Sequence, residues 1–150
     1  MKRVIQKLFV VVLLLVFAGC SGGIPKGTDS DVKDLVLKIT KNEIKKQITT
    51  SIYQDVTRIN VAFFGMKVSY EDLKRNIDKD DNRKVVKEID SFMSKLTLAL
   101  SNIRTDSIQE DIKKSTSSAE LKVNDKVMKI TYTAQYNDDG RLYVEVFGLK

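Results

Sequence analysis

Asp78-x-Asp80-x-Asn82 sets three oxygen-bearing side chains at the spacing with which a calcium loop opens. Such a loop also needs a glycine at its sixth position and a bidentate glutamate at its twelfth. Arg83 and Ile89 stand there instead, Glu88 comes one residue early, and Arg83 would bring a positive charge toward the cation. The competing reading is a solvated loop between helices whose last residues cap the next helix. With Gly140 at the sixth position, Asn137 and Asp139 take the third and fifth of such a loop and Val146 stands where the glutamate belongs, so this stretch reads as a hairpin turn. Ser30-x-x-Lys33 has the spacing of a serine acyl-enzyme, but its companion motifs Ser-Asp-Asn and Lys-Thr-Gly do not occur. Ser30 is fully explained as a helix cap. The chain has no histidine, which removes the commonest general base and the commonest metal ligand. These spacings lead us to expect no catalytic residue, no metal site and no cofactor, and a protein that is not an enzyme.

One side chain remains with a specific chemistry, the thiol of Cys20, the only cysteine. Lys2, Arg3 and Lys7 form a basic head, Leu8 to Ala18 is an unbroken apolar run, and Ala18-Gly19 puts two small residues before Cys20. A charged head, a short apolar core and a small-residue cleavage site make a secretory signal. The apolar run has eleven residues, short of the roughly twenty that cross the hydrocarbon as a helix. These residues resemble a bacterial lipoprotein precursor, in which cleavage leaves an acylated cysteine as the new N-terminus. Phe17 stands where that family usually has leucine, and Ser21 resembles the members sorted to the outer membrane. The resemblance implies a signal peptide over 1–19, a membrane anchor through lipid on Cys20, and residence in the bacterial envelope, on the outer membrane facing the periplasm or the surface. A second resemblance, to short bacterial lipoproteins, rests on Ile24-Pro25-Lys26 and Asn102-Ile103-Arg104-Thr105. It implies cysteines near Gly27 and Ser117, which this chain lacks, and it names no activity.

Composition narrows the partners. Of 26 Lys and Arg residues, three lie in the basic head, which leaves 23 against 20 acidic residues in the remainder. A surplus that small does not argue for nucleic acid. With Cys20 claimed by the lipid, no disulfide can staple the domain, which must hold together by its core.

The elements follow from periodicity. Residues 20–29, with their glycines and the only proline, read as the lipidated cysteine and a flexible tether. Thr28 with Asp31 has capping-box spacing, and Val32, Leu35, Val36 and Ile39 predict a helix from about Ser30. That helix is expected to reach about Lys46, followed by a second helical segment to about Asn60, because the apolar set from Ile44 onward is out of phase with the first. Phe63-Phe64-Gly65-Met66 reads as a turn whose apolar side chains plug into the core. Ser69 with Asp72 caps a short helix, and Val85, Val86, Ile89, Phe92 and Met93 mark another. Leu96, Leu98 and Leu100 alternate as in a strand, while Leu96, Leu100 and Ile103 suit a continued helix; both readings stand. Ala119 to Val123, Ile130 to Tyr136 and Leu142 to Val146 alternate, separated by turns at Asn124-Asp125 and Asn137 to Gly140. The expectation is one α+β domain over 30–150, with N-terminal helices on one face of a roughly four-stranded antiparallel meander. The order is similar to cystatin-like or nuclear-transport-factor-like layouts.

Three surfaces are candidates for binding. Lys41, Lys45 and Lys46 crowd one helix and could meet anionic headgroups, or form a solvated face. If Leu142, Val144 and Val146 are core, Arg141, Tyr143, Glu145 and Phe147 form a partner surface for an envelope protein. This reading makes the chain a non-catalytic binding module: an accessory, an inhibitor or an exclusion factor. Phe63, Phe64, Met66 and Phe92 would line a pocket for a small apolar ligand in the alternative.

Overall fold

The computed structural model describes residues 11–14 and 23–149. The basic head and Ala18-Gly19-Cys20 lie outside them. The architecture is α+β, as expected: helices α1 (Ser30–Thr57), α2 (Tyr70–Arg75) and α3 (Asp80–Lys95) precede strands β2 (Leu98–Gln109), β3 (Lys114–Val123), β4 (Lys126–Tyr136) and β5 (Leu142–Phe147). These four strands form an antiparallel meander in sequence order, and a short strand β1 (Val11–Leu14) pairs antiparallel with β5. Within 96–103 the strand reading holds from Leu98 onward, and Leu96 and Thr97 link α3 to β2.

Contacts divide the span expected as one domain into two compact units, one built from the residues up to Thr40 and from Thr97 onward, the other from Lys41–Leu96. The expected break near Lys46 is absent, because α1 runs unbroken through Thr57. Its apolar side chains change face rather than stop. Val32, Leu35, Val36 and Ile39 join the buried cluster of the first unit, and Ile48, Ile52, Tyr53 and Val56 pack in the second. The β-branched Thr49 and Thr57, unfavourable for a helix on propensity, return their hydroxyls to Lys45 O and Tyr53 O at 2.7 Å each. The Thr28–Asp31 box does not form at the start. Asp29 precedes the helix, and its carboxylate turns back to accept the Lys26 N–H at 2.8 Å.

In the first unit, alternation puts Ala119 and Leu121 of β3, Ile130, Tyr132 and Ala134 of β4, and Leu142, Val144 and Val146 of β5 on one buried face against α1. The segment before α1 is seated on this sheet instead of hanging free. Pro25 and Gly27 are buried, Ser115 Oγ donates to Pro25 O, and Tyr132 Oη donates to Gly27 O at 2.9 Å. A Cβ on Gly27 would collide with Ser117 Oγ and lie 2.7 Å from Ser117 Cβ, so only glycine fits. Positions 27 and 117, where the second resemblance puts cysteines, are therefore neighbours. The part of the expected tether from Pro25 onward belongs to the folded unit.

In the second unit, Leu73, Val85, Val86 and Ile89 make a small core. Ser69 caps α2 as expected by accepting the Asp72 N–H. Tyr70 ties the three helices together: Lys45 Nζ sits 3.2 Å from its ring centroid, and its hydroxyl donates to Asp90 at 2.7 Å. That bond, with burial, pushes the Tyr70 pKa up to about 12. The turn after α1 departs from expectation. Val61 is buried at its base, but Phe63, Phe64 and Met66 are 80%, 64% and 42% exposed, because the turn closes on itself before reaching the core. Phe92 of α3 is also exposed.

Candidate interaction face

The two-residue turn at Asn124-Asp125 fixes the β3–β4 register by setting Val123 opposite Lys126. Counting back along both strands brings Glu120 opposite Lys129, Ser118 opposite Thr131 and Thr116 opposite Thr133, all on the face away from the core. The next register adds Phe147 beside Thr131, Glu145 beside Thr133 and Tyr143 beside Gln135. Tyr143, Glu145 and Phe147 are half-buried there, and Arg141 is exposed just before the strand. The structure thus places three residues of the expected partner surface along β5 and Arg141 immediately before it. Tyr143 Oη donates to Glu145 Oε1 at 3.1 Å, and burial first, then this bond, raises the phenol pKa. Asn137 Oδ1 accepts the Arg141 N–H at 2.7 Å and closes the hairpin, with Gly140 at a φ of +73°.

The polar half of this face escaped the sequence reading. β2 bulges at Asn102, whose φ is +50°. Asn102 Nδ2 then reaches Glu120 at 2.8 Å, and Arg104 Nε reaches Asp106 at 2.8 Å. Ser118 Oγ also donates to Asp106, and these two bonds hold its carboxyl below the usual range. An open groove of about 340 Å³ runs among Asn102, Arg104, Ser118, Glu120, Lys129 and Thr131. Thr131 is the cross-strand neighbour of Phe147, so groove and aromatics adjoin on one surface. Counting registers outward from the two-residue turn would have found Glu120, Lys129 and Ser118. Only the bulge, invisible in periodicity, brings Asn102 and Arg104 to them. Together these groups offer donors and acceptors of both charges beside two aromatic rings.

The other candidates fare differently. Phe63, Phe64, Met66 and Phe92 line neither this groove nor the second one, of about 320 Å³, between Tyr53, Thr57, Ile59 and Lys79 to Asn82. Of the basic helix residues, Lys45 lies 4.0 Å from Glu71, and Lys46 lies 3.8 Å from Glu43. In the calcium-like stretch, Arg83 lies on Asp80 at 3.1 Å, and Asn82 turns to the carbonyl of Asn76. Among the described residues, no group of three or more His, Cys, Asp or Glu side chains could hold a metal ion. No helix among them is long and apolar enough to cross a membrane. No family model, curated protein or solved structure matches the chain.

Proposed function

We propose that the chain is a bacterial envelope lipoprotein, anchored through lipid on Cys20, that acts as a non-catalytic binding module for an envelope protein. The anchor is supported by the basic head, the apolar run and Ala18-Gly19-Cys20. The binding role rests on one observation: the sheet face away from the core joins Tyr143 and Phe147 to a groove of charged and amide side chains. Aromatic and arginine side chains are enriched where interfaces concentrate their energy. Signal cleavage before Cys20 would also remove residues 11–14 and leave β5 as the outer strand of the sheet, next to the proposed surface.

The test is crosslinking in cells with the lipidated protein, followed by mass spectrometry. One dominant envelope protein should be captured, and it should be lost from a Tyr143→Ala/Phe147→Ala variant whose melting temperature is nearly unchanged. Capture that persists in that variant rules out this face. A large fall in its stability assigns the two rings to the fold instead.

A further inference from the structure

The turn between α1 and α2 exposes more contiguous apolar surface than a soluble turn needs. Phe63 and Phe64 stand at its tip with ring centroids 5.1 Å apart, edge to face, and Met66 follows. Three large apolar side chains in four residues form a patch rather than the scattered exposure common on protein surfaces. The backbone beneath them is already satisfied. Phe63 N–H donates to Asn60 Oδ1 at 2.9 Å, Phe64 N–H to Asn60 O at 3.2 Å, Gly65 N–H to Ala62 O at 3.2 Å, and Met66 N–H to Val61 O at 3.0 Å. A turn with four paired amides can leave water without the desolvation cost that unpaired backbone groups carry into lipid. Its base is held by the buried Val61, whose N–H donates to Gln54 Oε1 at 3.1 Å.

The charges around it favour an anionic surface. Arg58 and Lys67 flank the tip in sequence and are exposed, and no carboxylate occurs between Asp55 and Glu71. Asp80 and Asp81, which share a groove with Thr57 and Ile59, lie against Arg83 and Lys84. Apolar side chains between cations, on a turn whose amides are paired, are the chemistry that enters the boundary between headgroups and acyl chains. We propose that the Phe63–Met66 turn inserts into an anionic lipid bilayer, with Arg58 and Lys67 on the headgroups. This contact does not depend on acylation of Cys20 and is distinct from the sheet face proposed above.

The chain has no tryptophan, so Phe64→Trp gives a single reporter at the tip. The unacylated full-length chain carrying it is mixed with vesicles of phosphatidylethanolamine and phosphatidylglycerol, with and without bromine on the acyl chains. Emission should shift to shorter wavelength and lose most of its intensity with brominated lipid. A Val127→Trp chain, with its reporter on an exposed position of β4, should do neither. Adding Arg58→Gln and Lys67→Gln to the Phe64→Trp chain should weaken the quenching. An unquenched Phe64→Trp reporter on chain that still sediments with the vesicles overturns the proposal and leaves the turn to a protein partner. Equal quenching of the Val127→Trp control overturns it as well, since insertion would then not be local to the turn.

Discussion

A tyrosine hydroxyl carried into an apolar core must find an acceptor there, and Tyr132 finds the carbonyl of Gly27, 105 residues away in sequence. The phenol is fully buried, and burial pushes its pKa up to about 12 from an ordinary 10.0. Tyr132→Phe leaves the Gly27 carbonyl buried without this donor, a loss of about 1–3 kcal/mol. The neutral phenol holds its bond at every pH below 10, and its contribution falls away as pH rises from 10 toward 12. Urea unfolding of both proteins should therefore show a constant stability gap up to about pH 10 that narrows above it. A gap that widens with pH would mean that the phenol is ionised in the folded protein. Alternation made Tyr132 legible as a core residue. Its acceptor was not, because nothing local in Pro25-Lys26-Gly27 announces a segment that will lie on a sheet.

At the scale of elements, the chain changes from helix to strand at Leu96, and Asn124 helps to fix the place. Its N–H donates to Thr97 O, and its side-chain oxygen accepts from Thr97 N and Oγ1 at 2.9 and 3.2 Å. Asn124 also holds a φ of +52°, which asparagine and glycine tolerate best. Asn124→Gly keeps that backbone and loses the clasp, so it should cost about 1 kcal/mol by urea unfolding. A variant as stable as the parent would show that the turn alone matters. This clasp spans 27 residues, which is why the local pattern of Leu96 to Ile103 suits helix and strand equally. The three later strands were plain because β3 and β5 bury alternate residues on a single face, and β4 keeps its apolar residues Ile130, Tyr132 and Ala134 on that face although Thr133 between them is also buried. The length of α1 was hidden for the opposite reason: one continuous helix serves two cores and keeps no single apolar face. Phe63, Phe64 and Met66 misled through composition, since apolar residues are usually inside but nothing obliges a short turn to fold inward.

For the whole molecule, the layout of helices followed by an antiparallel meander was readable from period alone, while the candidate interaction face required the bulge in β2 and the registers around it. The proposed anchor is a separate matter of chemistry at Cys20. Cys20→Ser should abolish labelling by radioactive palmitate and leave the precursor uncleaved, checked on gels of fractionated cells. Labelling that survives the substitution would remove the lipoprotein reading. Given that anchor, the seat of Pro25 and Gly27 on the sheet sets a leash. Four residues, Ser21 to Ile24, separate the acylated cysteine from the first seated residue, and their full extension is only about 14 Å. With that anchor in place, Pro25 and the sheet surface on which it sits would stay within about that distance of the acylated cysteine.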